Sequence, residues 1–559
     1  MSTNAIQAVT SSGQPVLILK EGSNTSRGKE AQRNNIQAAK LVAEIVKTSL
    51  GPRGMDKMLV DSLGDVTITN DGATMLKEID VQHPAAKMLV EVSKATDNEV
   101  GDGTTSAVIL AGALLEKAES LIDKGVHPTI IVEGYNKAAA KAIQVLGSFA
   151  EKVPADSREW LTKIARTSMQ TKLVSREAQQ LAELVVGAVL QVAEKTETGG
   201  KVDLDNIKVE KKPGGSLSNT TLIKGMVLDK EVVHAGMPKR VEKAKIALVN
   251  AAFEIEKTEF DAKLNISDPS QMKKFLDEET RMLKEMSDKV VSVGANVLVC
   301  QKGMDDIAQH YLAKAGILAV RRAKESDMTK LAKATGARIA NSFDDLSPKD
   351  LGAADLVEER KIEQDKWVFI EGCKNPKAVT ILIRGGTTRI VDEAERSMHD
   401  ALMVSKDVVE KPAIVAGGGA PEAETAGQIL KWTEKLNGRE QLAAQKFAEA
   451  LETIPICLAT NAGLDPIDTM TELRAKHADG GNGKWFGVEA KSGKVKDMYK
   501  ENIFEPLSVK EQIVKSATEA ACMILRIDDV IAAGKSRMPS GPPGGGGGGG
   551  MGGGEGDFD

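Results

Sequence analysis

The chain has 559 residues, which at about 150 residues per domain predicts three or four compact units. Its 74 basic and 80 acidic residues give a net charge of −6, which argues against a coat for nucleic acid or anionic membrane. With 3% aromatics it is also too poor in rings for a platform that stacks single-stranded bases. Hydrophobic residues (41%) and charged residues (28%) are in ordinary globular balance and supply several cores. The longest apolar stretches, such as Ala107 to Leu115, fall well short of the roughly 20 residues that span a bilayer. The opening MSTNAIQAVTSSGQ has neither the basic start nor the apolar core of a signal peptide. Cys300, Cys373, Cys457 and Cys522 are too far apart for a CxxC pair and read as buried or free thiols in a reducing compartment. A multidomain cytoplasmic chain is the expectation.

In chain order, the apolar run Val16 to Leu19 suits a terminal strand. Ile36, Ala39, Val42, Ala43, Val46 and Leu50 recur at three- and four-residue spacing and predict a helix that Gly51-Pro52 stops. Strands at Met58 to Val60 and Val66 to Thr69 follow, joined by the Asp61–Asp65 turn. Two helical runs bracket GDGTTS. Residues 160–220 read as helical, turning loop-like at TETGGKVD and KKPGGS. Beyond Lys224, short apolar runs (Ile246 to Val249, Val291 to Val299, Ile317 to Val320) alternate with helical segments and imply an α/β module. Within it, Asp268 as N-cap, Pro269 and Gln271 open an amphipathic helix with a stripe of Met272, Phe275, Leu276, Met282, Leu283, Met286 and Val290. Val379 to Ile383 reads as a strand entering the Gly385-Gly386 turn, then a helix through Met403. Lys411 onward is helix-rich to about Ala533, and the Gly-rich tail from Ser536 cannot bury enough apolar surface to fold.

Four segments could carry chemistry. GDGTTS (Gly101 to Ser106) opens a helix with exposed backbone N–H groups and a favourable dipole for phosphate. Asp102 there would tolerate phosphate only through a divalent cation, and reads either as a Mg²⁺ ligand or as a plain N-cap. SLGPRGMDKML (Ser49 to Leu59) is a glycine turn whose backbone can approach a phosphate, or simply a helix stop. ITNDGATML (Ile68 to Leu76) puts Asp71 at a strand exit, as a functional carboxylate or a turn Asp. In RIVDEAERSMHDAL (Arg389 to Leu402), Val391, Ala394, Met398, Ala401 and Leu402 share one face. Asp400 lies opposite, beside Glu393 and Arg396, either solvated or presented across a gap to another domain. The GKS at Gly534 to Ser536 is no Walker loop, and the histidines show no zinc spacing. AGGGAPE (Ala416 to Glu422) follows a short apolar run and could form a close backbone wall.

Taken in this order, SLGPRGMDKML, ITNDGATMLKEI, GDGTTS, ERSMHDAL and AGGGAPE, with the Gly-rich tail, resemble the group II chaperonins, the archaeal thermosome above all, from about residue 20 to 535. The resemblance implies a multidomain α/β chaperonin fold. A mainly helical equatorial ATPase domain would span 1–158 and 412–535, and a small α/β intermediate domain 159–222 and 378–411. An α/β apical domain would span 223–377 with a helical protrusion around 250–290, leaving a disordered tail at 536–559. It implies an ATP-dependent chaperone that encloses unfolded proteins in two stacked rings of eight or nine identical or paralogous subunits, with ATP and Mg²⁺ as cofactors. Carried over by motif, Ser49, Leu50, Gly51 and Pro52 resemble the phosphate turn, Asp102 the magnesium ligand, and Gly103, Thr104, Thr105 and Ser106 the β/γ-phosphate cradle, with Gly72 beside it. Asp71 and Asp400 resemble the carboxylates that activate water, and Lys172 (in ARTSMQTK) the γ-phosphate sensor. Gly418 resembles the ribose wall, and Gly487 and Glu505 the base and sugar contacts. Ser49 stands where Thr is commoner, and Leu173 where a Gly is frequent. An alternative class is a structural assembly protein whose rings stack into filaments, with ATPase activity only regulating association.

Overall fold

The structure is a computed structural model that describes residues 7–9, 15–17, 24–61, 63–79, 81–196, 199–255, 269–374, 376–479 and 481–532. The glycine-rich tail, the GKS segment and the N-cap Asp268 lie outside the described residues. Two compact units are drawn from 1–34 with 527–559, and from 35–526. In the first, Gln7–Val9 pairs antiparallel with Pro15–Leu17, and Asn24–Arg27 with Asp529–Ala532. The apolar run at Val16 therefore pairs within its own hairpin.

The second unit has two large hydrophobic cores. One is assembled from both ends of the unit, Ile36 to Ile207 and Val379 to Leu525. At its centre lies the Thr104–Asp123 helix, apolar nearly all round and buried from Ser106 to Leu115, which is the pattern of an interior helix. It packs against the Pro84–Val100, Arg439–Leu451 and Leu507–Leu525 helices. At Gly112 an added Cβ would stand 2.3 Å from Ala43 Cβ, so the absence of a side chain there sets how closely two helices approach. The Gly28–Lys47 helix buries Ile36, Ala39, Val42, Ala43 and Val46 as the spacing predicts, but ends earlier than expected. Ser49 and Leu50 turn back on Val46 and Lys47 with short-range backbone bonds, and Gly51 at φ +83° follows the turn.

The expected hairpin forms, Lys57–Val60 against Val66–Thr69. The segments expected to be loop-like are largely strands: Glu194–Thr196 pairs with Gly199–Lys201, and Ile207–Pro213 runs parallel to Val379–Gly385. Their partners settle them, since strand preference depends on neighbours that local composition does not reveal. The Thr388–Glu410 helix packs against the Arg158–Met169 and Ala178–Val192 helices, and it buries polar Glu393 and Asp400 as well as apolar Val391 and Ala394.

The other core, Met226 to Ala378, surrounds a seven-stranded mixed sheet. Its order is Gly225–Leu228, Asp365–Glu371, Gly352–Ile362, Arg240–Val249, Val297–Cys300, Leu318–Val320, with Ile339–Ala340 also on Arg240–Val249. Ile246 to Val249, Val297–Cys300 and Leu318–Val320 run parallel and are buried, which is why they read as uninterrupted apolar runs, both faces being covered. The run expected at Val291 to Val299 splits, because the Pro269–Ser292 helix continues through its first two residues. That helix buries Leu283 and Val290, whereas Phe275, Leu276 and Met282 are exposed, so only the C-terminal half of the expected stripe packs on its own sheet. Buried Lys208 ties the two cores, donating to Val227 O at 2.9 Å and pairing with Asp327 at 2.8 Å. Among the described residues no helix is long and apolar enough to cross a membrane.

Candidate functional site

A cleft of about 180 Å³ opens in the helical core where stretches remote in sequence converge. Ser49, Leu50, Gly51, Pro52, Asp71, Asp102, Gly103, Thr104, Thr105, Ser106, Lys172, Asp400, Gly418 and Glu505 all line it. Gly72 and Gly487 stand behind the lining and shape it. A Cβ at Gly72 would lie 2.7 Å from Thr105 N, so glycine lets two helix starts meet; one at Gly487 would lie 2.8 Å from Gly417 O.

The cleft floor is the start of the Thr104–Asp123 helix. Its N-cap is Gly103 at φ +78°, a conformation that favours glycine, and no side chain caps the first turn. The N–H groups at that end therefore face the cleft with the positive end of the helix dipole. Asp102 turns one oxygen back to Gly103 N at 2.6 Å. Asp71 is indeed the N-cap of Gly72–Glu78, accepting from Thr74 N at 2.8 Å, but its other oxygen accepts from Thr104 Oγ1 at 3.1 Å. One oxygen of this carboxylate thus caps its own helix and the other is tied to the start of the Thr104–Asp123 helix.

Asp400 corrects the solvated reading of its helix face. It is 5% exposed and paired with Lys172, itself 8% exposed, and neighbouring Glu393 is buried at 2% and held by Arg396 at 2.7 Å. Periodicity separates apolar from polar faces, but the polar face here points into another part of the fold. Burial drives the Asp400 carboxyl well above the usual range, opposed by Lys172 and reinforced by Asp71 and Asp102. Burial works against the charge on Lys172, yet Asp400, Asp102 and Asp71 together raise its pKa. Asp97, on the Pro84–Val100 helix, is raised by burial and by Asp71. Lys172 stays in the cleft although Leu173 follows it, because Leu173 begins a short 3₁₀ turn with its side chain outward.

Sequence reasoning missed Asn70, whose Nδ2 donates to Thr171 O at 2.6 Å and ties the strand exit to the loop that carries Lys172. It also missed Thr167 to Thr171, the Val488 to Lys491 wall, and Lys510. Lys510 sits in a helix interior whose apolar neighbours gave no hint of a cleft. The four cysteines are free and buried as expected, their thiols pushed up by burial, to about 11 at Cys300.

Residues 42–535 match the TCP-1/cpn60 chaperonin family. The chain is 58% identical over 535 residues to the thermosome subunit alpha of Archaeoglobus fulgidus, covering 96% of this chain and 98% of that one. It is 57% identical over 523 residues to a thermosome subunit of Pyrococcus abyssi, covering 94% and 95%. It is 58% identical over 521 residues to one from Methanopyrus kandleri, covering 93% and 95%. A cleft with an uncapped helix start, a buried lysine and three carboxylates, on a chain that matches these subunits over nearly their full length, places it in the TCP-1/cpn60 chaperonin family, as an ATP-hydrolysing, protein-folding chaperonin of group II type.

Proposed function

We propose that this cleft binds MgATP and that its hydrolysis drives closure of a folding chamber around unfolded proteins. The observation that carries the reading is that Asp71, Asp102, Asp400 and Lys172, from widely separated parts of the sequence, line one cleft at a helix N-terminus. Asp71, Asp102, Asp400, Glu489 and Glu505 against Lys172, Lys491 and Lys510 formally leave two negative charges along the cleft, which a divalent cation matches. Among the described residues no three such side chains close on one point as a metal cage. That suits Mg²⁺, which is commonly held by one or two carboxylates plus phosphate oxygens and water. Asp102 is the protein ligand in this reading, and the cation, when bound, neutralises phosphate charge.

The chain's own residues supply position and proton handling. The N–H groups of Thr104, Thr105 and Ser106 and the Ser49 to Pro52 turn hold the phosphates. Asp71, fixed by Thr74 N and Thr104 Oγ1, and Asp400 orient water. With Oδ2 engaged by Lys172, Asp400 Oδ1 is the atom left to accept a proton, and burial makes it a better acceptor than an exposed carboxylate. Lys172 senses the γ-phosphate, Gly418 walls the ribose, and Gly487 and Glu505 lie toward base and sugar.

The domain reading follows the same division: equatorial 1–158 and 412–535, intermediate 159–222 and 378–411, apical 223–377 with its protrusion near 250–290. The separate core from Met226 to Ala378 supports the apical assignment. Asp400 and Lys172 both belong to intermediate segments, so the catalytic set is complete only when that domain rests on the equatorial one, which couples hydrolysis to movement. Exposed Phe275, Leu276 and Met282 on the protrusion suit contacts with clients or neighbouring protrusions of a built-in lid. Two stacked rings of eight or nine subunits in the cytoplasm complete the proposal. Replacing Asp400→Ala should abolish steady-state ATPase while nucleotide binding persists; hydrolysis at the wild-type rate would remove Asp400 from the mechanism.

A further inference from the structure

A second buried lysine stands at the back of the same cleft. Lys510, on the Leu507–Leu525 helix and 5% exposed, lies 2.8 Å from Glu422 Oε1 and 2.6 Å from Glu505 Oε2. The two carboxylates are not equivalent. Glu422, at the start of the Ala420–Thr433 helix, is shut away from the cleft. Its free oxygen Oε2 and Thr425 Oγ1 are both buried without a partner, and both residues line one void of about 10 Å³. The other oxygen of Glu422, Oε1, accepts from Lys510 Nζ at 2.8 Å and so anchors the lysine from the side away from the cleft. Glu505, in the Phe504–Pro506 strand, keeps 28% of its side chain exposed and lines the cleft. Its Oε2 is taken by Lys510, whereas Oε1 has no hydrogen-bond donor among the described residues. Behind Oε1 stands Gly417: a Cβ there would come 3.1 Å from that oxygen and 2.6 Å from Ile503 Cγ2. With Oε2 held by Lys510 and no side chain at Gly417 to crowd it, Oε1 is the oxygen left to accept from a ligand in the cleft that Glu505 lines.

We propose that Lys510, anchored by Glu422, is a positioning residue that holds Glu505 ionised and aimed at a sugar hydroxyl, so that the chain selects ribonucleotides over 2′-deoxyribonucleotides. The proposal rests on the reading of the cleft as the ATP site with Glu505 at the sugar. Burial raises the Glu505 carboxyl and Glu422 adds to the rise, while Lys510 lowers it. Without the ammonium, two carboxylates confront each other in a desolvated wall, and Glu505 takes up a proton or swings away. A neutral or misdirected Glu505 no longer distinguishes a sugar that offers the hydroxyl from one that lacks it.

The test is equilibrium binding of ADP and of 2′-deoxy-ADP, with Mg²⁺, to the assembled full-length protein by calorimetry, where no turnover enters. The wild type should prefer ADP by roughly tenfold, the scale of one hydrogen bond to a charged acceptor. Glu505→Ala and Lys510→Met should each bring the ratio close to one by weakening ADP and leaving 2′-deoxy-ADP little changed. Lys510→Gln, which keeps a hydrogen-bond donor but no charge, should do the same, so the proposal stays testable where the methionine variant folds poorly. A wild type that does not discriminate, or an unchanged ratio in Glu505→Ala, overturns the sugar reading and the proposal with it. A ratio that collapses in Glu505→Ala but survives in both Lys510 variants leaves the sugar reading standing and overturns the role of Lys510 alone.

Discussion

The cleft and the Met226 to Ala378 sheet are built from the same kinds of residue under opposite rules. The sheet core is one continuous stretch of sequence, and its parallel strands, Ile246 to Val249, Val297 to Cys300 and Leu318 to Val320, are fully buried and apolar or nearly so. The cleft is assembled from segments spread from Ser49 to Lys510 and buries Lys172, Asp400 and Lys510, with Glu422 buried behind Lys510. Burial of apolar surface holds the sheet together and tolerates any pairing of good shape. Buried charge stabilises the cleft only while each partner is in place, and mostly specifies which arrangement forms. The sheet can therefore serve as a passive platform, whereas the cleft responds to charge arriving or leaving.

The sharpest way to break this contrast is Lys172→Met. It strands the buried Asp400 carboxylate beside Asp71 and Asp102, at a cost of about 3–5 kcal/mol to the folded state. The penalty is pH-dependent in a defined sense. The Asp400 carboxyl is already raised in the folded state, and losing Lys172 raises it further. A carboxyl so raised contributes most stability below its unfolded pKa and loses it as pH climbs through the folded value. Urea unfolding at pH 5 and pH 8 should show the deficit of Lys172→Met growing toward pH 8; an equal deficit at both would mean the pair is not a buried charge pair in solution.

Leu298→Ala is the counterpart in the sheet. Leu298 is fully buried in a central strand, so the truncation should remove about 3 kcal/mol through lost burial and a residual cavity. That loss should be the same at pH 5 and pH 8, because no titrating group is disturbed. A pH-dependent loss would blur the distinction between the two regions.

The same contrast explains what the sequence disclosed. The sheet strands were readable as apolar runs because parallel strands bury both faces, and the helices around Ile36 and Ala107 because their spacing matches one turn. The site motifs were readable through glycine and carboxylate at element boundaries, and Ser49 to Pro52, Asp71 and GDGTTS do line one cleft. Asp400 lies on the polar face that the periodicity predicts, yet its burial is invisible in the sequence, since Lys172, Asp71 and Asp102, which meet it in the cleft, come from remote segments. Lys510 and Glu422 carried no local signal at all: a lysine in a helix and a glutamate after Pro421 look like surface residues until two distant helices bring them to 2.8 Å. The strands at Glu194–Thr196 and Ile207–Pro213 hid for the same reason, their partners being supplied from elsewhere.

A smaller effect tests whether responsiveness extends beyond the cleft along the Thr388–Glu410 helix. Two turns past Asp400, Asp407 is 7% exposed and accepts from Ser508 Oγ at 3.1 Å, which joins this helix to the Leu507–Leu525 helix. Burial pushes its carboxyl up to about 7; Ser508 and Lys406 pull it down, and Glu410 and Glu99 push it up. The folded value lies above the unfolded one, so the contribution of Asp407 to stability is present below the ordinary carboxylate range and fades as pH rises through about 7. Between pH 5 and pH 8 the fading amounts to about 2–3 kcal/mol. Asp407→Asn keeps the shape and cannot titrate, so the stability difference between it and the wild type should shift in its favour by that amount over the interval. Ser508→Ala removes a bond that favours the charged form, and should carry the decline to higher pH without changing its sign. Parallel pH profiles for wild type and Asp407→Asn would confine the charge-responsive part of this helix to the turn that bears Asp400.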